Sequence, residues 1–330
     1  MDMTARQREF ERLVAGFDAA GAAGERLAET ARLAKSGDEG AATRLAAAIA
    51  RIAFVTPGAA TPVLDAIAEA WLEHAPGSLP RTPATEEAIA EISAPGFPDP
   101  DFWAAFWAFV GDPNPGSGEE VTARIASLGG LLHESFRARA LKVAETHPGA
   151  AGAASRELPP PLTLDILGAQ PEGSLGHDFY RLILDNGFNL EVLDREAIGL
   201  ATLPPALRYL NTRILQMHDV WHLMAGYRTT VLQEIGISAF QLAQFGHNYS
   251  AMVVATAAAS AALNSREAFS LIMQVTAEAW VHGRTAPCFM AIEWEKEWHL
   301  PIAEIRARHG IRPFESIFPA DLIEQLRVAA

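Results

Sequence analysis

Two histidines four residues apart, His218 and His222 in the run HDVWH, followed after eleven intervening residues by Glu234, restrict the fold of this chain more than any other feature. On a helix the two imidazoles stack along one face and can bind a single cation from the same side. Asp219 lies about 60° round the barrel from His222, close enough to complete or orient the shell. Glu234 cannot join them on the same straight helix, because twelve residues beyond His222 it would be rotated by roughly 120°, and sixteen beyond His218 by roughly 160°. A break is therefore required, and Ala225-Gly226-Tyr227 supplies one. Thr230 with Gln233 three residues on is a capping-box pattern that starts a second helix, with Glu234 in its first turn. The expectation is an all-α fold in which two consecutive helices joined by a glycine turn bring the carboxylate back to the imidazoles. Nitrogen and oxygen donors without a thiolate suit zinc, iron(II) or manganese. The bland alternative is an exposed helix whose histidines and acids form ordinary salt bridges. HDxxH is also a poor protease motif, since aspartate is one methylene shorter than the glutamate of HExxH and reaches a bound water differently.

The rest of the chain reads as helix. Thr4 with Gln7 suggests a cap, and Phe10, Leu13, Val14 and Phe17 recur at helical spacing. Further helices are expected near 25–35, 41–54 and 62–74, the last opened by Thr61 as cap and Pro62 as first helical residue. A proline-rich connection around a short helix spans 75–100. Asp101–Val110 carries Phe102, Trp103, Phe106, Trp107 and Phe109 on more than one face, which implies burial or lipid contact, with core packing the favoured reading. One helix is expected from Glu119 to Glu145, then a loop passage ending in Pro159-Pro160-Pro161. Residues 1–118 are taken as an alanine-rich helical extension and 119–330 as the metal-site domain.

With 330 residues, of which 49% are hydrophobic, the chain can bury a sizeable core. A formal charge of -14 and the lack of a basic patch argue against nucleic acid as a partner. One cysteine, Cys288, allows no internal disulfide and suits a reducing compartment. The start, MDMTARQREFERL, lacks the apolar core of a signal peptide. The run Ala251 to Leu263 is thirteen residues, short of the ~20 needed to span a bilayer. A cytoplasmic location, with peripheral attachment to the inner membrane left open, is the expectation.

A second cluster, Glu278 and His282 followed by Glu293, Trp294, Glu295, Lys296, Glu297, Trp298 and His299, is read as packing: Trp294 and Trp298 share a helix face while the charges meet solvent or arginines. Tyr180, Arg208, Tyr209 and Arg213 are the candidates for a substrate pocket. Arg213, five residues before His218, could hold a substrate carboxylate bidentately or form an ion pair on the helix surface.

The segment RYLNTRILQMHDVWHLMAGYRTTVLQE resembles the coenzyme Q (ubiquinone) biosynthesis protein 4 family, whose signature is HDxxH, eleven residues, then Glu. PEGSLGHDFYRLI upstream and AWVHGRTAPCFMAIEWEKEWHLPIAEIRARHGI downstream are similar to the family's flanks, so the resemblance runs from about Pro159 to Pro313 and more weakly back to Glu119. Several positions depart from the family pattern: Leu215 and Gln216 stand for an arginine and a glutamate, Gln233 for a glycine, Ser238 for a lysine, and His247-Asn248-Tyr249 for Leu-Pro-Met. The resemblance implies a role in ubiquinone biosynthesis and one divalent ion held by His218, Asp219, His222 and Glu234. The implied activity replaces the C1 carboxylate of a prenylated 4-hydroxybenzoate-derived precursor by a hydroxyl. Asp219, Glu234 and Arg213 would then be the catalytic candidates. Implied partners are the prenylated aromatic precursor and other ubiquinone biosynthetic enzymes, and the long tail requires the protein either to reach a membrane surface or to shelter the tail in an apolar groove; a homodimer is compatible with these. Two alternatives share the same residues: a non-catalytic scaffold that binds prenyl lipid, and a metal-dependent hydrolase.

Overall fold

The computed structural model describes residues 3–329 except 19–20, 23, 81–90, 94–95, 115, 192–194 and 197–198, and within these it contains helices and no strand. The N-terminal helices are α1 (Met3–Gly16), α2 (Gly24–Ser36), α3 (Glu39–Phe54) and α4 (Ala60–Trp71), followed by α5 (Pro100–Val110), α6 (Gly118–Gly130) and α7 (Glu134–Thr146). Next come α8 (Leu164–Gly168), α9 (Leu175–Asn186), α10 (Pro205–Ala225), α11 (Val231–Phe245), α12 (Asn248–Asn264), α13 (Arg266–Thr285), α14 (Ile302–His309) and α15 (Leu322–Ala329). The most extensive helix contact joins α11 to α13. It depends on Gly283: a Cβ there would lie 2.7 Å from the Phe240 carbonyl oxygen.

The N-terminal helices share one continuous core with the rest, α3 packing on α12 and α4 on α13. Both α3 and α12 are rich in alanine, whose small side chains suit close packing. The aromatic helix α5 turns Phe102 and Phe106 fully inward, against Phe10 and Phe54. Trp107 lies at the edge of this cluster, where its indole nitrogen donates to Glu11 at 2.6 Å. One charge is buried in the layer: the Arg51 guanidinium donates to the Ile92 carbonyl and lies over the Phe97 ring, and burial lowers it to about 10.

Four expectations about helix boundaries need correction. The helix expected over 119–145 is two, because Gly129-Gly130 closes α6 and His133 caps α7 by accepting from the Ser135 amide. Thr61 is no cap, since the turn Pro57–Ala59 runs directly into α4. Thr4 lies inside α1. Trp294–Lys296 is a single 3-10 turn, although Trp294 and Trp298 are buried as packing residues. Residues 81–90 and 94–95 of the connection expected around residues 75–100 lie outside the described residues.

Candidate metal centre

The 21-residue helix α10 begins at Pro205, whose fixed φ suits the first helical position. It stops at Gly226, which adopts φ 82° while its N–H returns to the His222 carbonyl. Only glycine fits there: besides the backbone angle, a Cβ would meet Pro313 at 2.8 Å. After the turn, Thr230 is the N-cap residue of α11, but its hydroxyl donates to the Ala320 carbonyl instead of closing the expected capping box.

The fold brings Glu234 to both imidazoles, and Asp219 clusters with the two histidines. His218 Nε2 lies 3.3 Å from Glu234 Oε2, His222 Nε2 lies 3.3 Å from Glu234 Oε1, and the two Nε2 atoms are 3.0 Å apart. Ligand atoms of His218, Asp219 and His222 all fall within 4.8 Å of one another, a cluster that could hold a metal ion. A tetrahedral shell with ligand distances near 2.0 Å has donor separations of roughly 3.3 Å. The two histidines and Glu234 match that spacing, and their donor set is the hard-to-borderline one expected for a small divalent cation.

The electrostatics concentrate here. Burial alone would raise Glu234, yet the two histidines overcome it and hold the carboxyl well below the usual carboxylate range. Burial pulls His218 down, but Glu234, Asp219 and Gln241 outweigh it and leave the imidazole above its ordinary value. Asp219 is pushed up, by burial first, against the opposing pull of His218 and His222.

Second partners orient the rings. His222 Nδ1 donates to the Tyr227 carbonyl at 3.2 Å, which leaves its Nε2 lone pair facing Glu234. The Tyr227 phenol donates to His282 Nδ1 at 2.9 Å, and His282 Nε2 donates to the Arg312 carbonyl at 2.9 Å. His282 thus belongs to the support of this site. A surface cavity of about 330 Å³ opens beside His222, lined by Leu182, Leu223, Tyr227, Arg228, Thr229 and Thr230.

The other candidates are placed differently. Arg213 is buried and grips the carboxylate of Glu295 with both terminal nitrogens, the second at 2.9 Å. Tyr209 is buried beneath the Arg156 guanidinium, and Tyr180 packs on α8 at Gly168. Arg208 has a buried Nε without a hydrogen-bond partner among the described residues. None of these four bonds to the proposed metal ligands among the described residues. Gln241, Tyr227 and Ser250, which do support the centre, were not among the expected site residues. Gln241 carried a usable signal, since it lies seven residues after Glu234 and therefore on the same helical face.

Residues 160–315 match the family model described as Coenzyme Q (ubiquinone) biosynthesis protein Coq4. The rat "Ubiquinone biosynthesis protein COQ4 homolog, mitochondrial" is 28% identical over 153 residues, 46% of this chain and 56% of the rat protein. Its namesake from Trypanosoma brucei is 24% identical over 223 residues, covering 66% of this chain and 86% of that protein. The match thus spans little more than half the length of the mammalian relatives. A solved structure from Nostoc punctiforme PCC 73102, of a protein provisionally named for ubiquinone biosynthesis, is 26% identical with a TM-score of 0.49, covering 64% of this chain and 97% of that one. No helix among the described residues is long and apolar enough to cross a membrane.

Proposed function

Because residues 160–315 place this chain in the Coq4 family of coenzyme Q (ubiquinone) biosynthesis proteins, we propose that it acts in that synthesis as a metal-dependent enzyme replacing the C1 carboxylate of a prenylated 4-hydroxybenzoate-derived ring by a hydroxyl. The observation that carries the reading is the convergence of His218, His222 and Glu234 at one point beside an apolar cavity. The reaction balances with dioxygen and an external two-electron reductant. The bond from C1 to the carboxylate carbon breaks, leaving its electron pair on the ring, and carbon dioxide departs. C1 gains one oxygen atom of dioxygen, and the other leaves as water after taking up the two electrons and protons. A divalent cation of zinc, iron(II) or manganese type would polarise an oxygen ligand and stabilise charge as it develops.

The chain's own residues supply the remainder. His218, His222 and Glu234 bind and orient the ion, and the cavity at Leu182, Leu223 and Tyr227 receives the apolar substrate at the site's edge. Asp219, raised by burial, retains a proton more readily than an ordinary carboxyl and can pass it to oxygen at the centre. Arg213, committed to Glu295, holds α10 in place beside the ligands. The prenyl tail brings the protein to a membrane surface and to the neighbouring enzymes of the same synthesis.

Complementation of a host lacking its own family member, with quinone intermediates identified by mass spectrometry, tests this. Wild type under oxygen should convert the C1-carboxylated precursor to its hydroxylated successor. Glu234→Gln preserves size but removes the anionic ligand, and should accumulate the precursor while the protein stays folded. Normal ubiquinone in the Glu234→Gln strain would replace the enzyme reading by that of a lipid-binding scaffold.

A further inference from the structure

Three buried side chains that the proposed chemistry does not use lie in series behind His218. The amide nitrogen of Gln241 is 2.8 Å from His218 Nδ1, and Ser250 Oγ is 3.1 Å from Gln241 Oε1. Ser250 Oγ is in turn 2.8 Å from His247 Nδ1, and His247 Nε2 is 3.1 Å from Asn211 Oδ1. Asn211 returns the series to α10, seven residues before His218. The links therefore tie the start of α12 and the end of α11 to the helix that carries both imidazole ligands.

Protons cannot be distributed freely along this series. If Gln241 donates to His218 Nδ1, its oxygen receives the Ser250 hydroxyl proton. His247 must then donate from both ring nitrogens, to Ser250 and to Asn211, which requires an imidazolium. Burial, followed by the charge at His218, pushes His247 down to about 3, so the ring is neutral. A neutral ring admits two consistent arrangements, each reached by a half-turn of one amide that exchanges its oxygen and nitrogen. Turning Asn211 points every donor towards His218 and places the proton of that ring on Nε2, among the metal donors. Turning Gln241 points every donor away. His218 Nδ1 then donates to Gln241, the Gln241 amide to Ser250, the hydroxyl to His247 Nδ1, and His247 Nε2 to Asn211.

Only the second arrangement leaves His218 Nε2 bare. His222 needs no such device, because its Nδ1 donates to a backbone carbonyl that cannot exchange its atoms. We propose that Gln241, Ser250 and His247 are positioning residues that set the tautomer of His218, keeping Nδ1 protonated so that Nε2 faces one divalent cation together with His222 Nε2 and the Glu234 carboxylate. This inference rests on the metal-site reading. Its weak link is the Ser250 hydroxyl, which is fully buried and, with donors running away from His218, has among the described residues only His247 Nδ1 to accept its proton. Removing that acceptor strands a buried donor in the metal-binding direction but only a lone pair in the opposite one, and the first is the costlier loss.

The test uses the full chain with 15N-labelled histidines, loaded with zinc, reading tautomers by two-bond nitrogen–proton correlation and affinity by competition with a chelating dye. In the zinc-loaded wild type, His247 should be protonated at Nε2 and bare at Nδ1. His247→Leu should retain one zinc per chain but bind it about ten-fold more weakly, the usual scale for losing a partner behind a metal ligand. His247→Asn should bind near the wild-type affinity, because its side-chain oxygen reaches the position of Nδ1 and accepts from Ser250. Ser250→Ala, a smaller change, should weaken binding as His247→Leu does and serves if the leucine variant fails to fold. A zinc-loaded wild type with His247 protonated at Nδ1, or variants of His247 and Ser250 that bind zinc as tightly as wild type, would overturn the relay while the metal site stands. A wild type that takes up no zinc would overturn the metal-site reading and the relay with it.

Discussion

Helix α12 separates two interiors built on opposite principles. Along its flank it meets α3 and α5, where alanine methyls and the rings of Phe10, Phe54, Phe102 and Phe106 fill the space. At its first turn, Ser250 and the preceding His247 join Gln241 and His218 in a buried series of hydrogen bonds. In the aromatic layer the packing of rings and methyls is largely non-directional and its worth grows with buried area. Around the candidate metal centre each group depends on a few specific neighbours, so the cost of a change is an orphaned donor or a lost acceptor. The lesson is that one region holds the chain together and the other is arranged so that it could hold a charge in place, and damage to either should leave the other's property largely intact.

The largest effect should follow from cutting the polar interior at its centre. His222 is almost fully buried and contributes one of few ligands, so His222→Ala should abolish the binding of about one divalent ion per chain, measured by elemental analysis after loading with zinc, iron or manganese. Full metal content in that variant would mean that the ion lies elsewhere.

Cutting the aromatic interior should do the reverse. Phe106 is fully buried against Phe10, Phe54, Phe102 and Trp107. Phe106→Ala should lower unfolding stability by about 3–5 kcal/mol through lost burial and the cavity left behind, with metal stoichiometry unchanged while the protein is folded. Loss of the metal at temperatures well below unfolding would show that the two interiors are mechanically coupled.

The two regions also differed in how much the sequence disclosed. The convergence at the candidate site was legible where covalent spacing fixes geometry: four residues place His218 and His222 on one face, and Gly226 marks the turn that brings Glu234 back. The aromatic helix was legible because rings on several faces of a short helix must be covered. What stayed hidden depends on tertiary approach. Arg213 meets a partner 82 residues away, so the same arginine reads equally well as a substrate clamp. The orientation of His222 is set by a backbone carbonyl, which has no sequence signature. The series from Gln241 to Asn211 exists only because α10, α11 and the start of α12 meet. The break between α6 and α7 was missed because Gly129-Gly130 interrupts an otherwise continuous helical pattern.

The smallest expected effect lies at the seam between the site helices and α7. His147 follows α7, accepts from the Gly149 amide through Nδ1, and packs against the turn at Gly246 that separates α11 from α12. Burial, and then the charge of Arg284, push it down to about 4 in the folded protein, whereas the unfolded side chain titrates near 6.5. Below pH ~6.5 the unfolded chain therefore binds a proton that the folded chain refuses, so stability falls as pH drops through the window from about 6.5 to about 4 and levels off beneath it. His147→Asn keeps an oxygen that can accept from the Gly149 amide but removes the titration. Stability should match wild type at pH 7.5, and at pH 5.5 the variant should be the more stable by on the order of 1 kcal/mol, the value of one pH unit of linkage. Urea unfolding at both pH values measures this. His247, also held neutral by burial, stays in both proteins, so its larger acid penalty cancels in the difference. Parallel loss of stability in wild type and variant between pH 7.5 and 5.5 would show that the seam carries no such penalty and that acid acts through the polar interior alone.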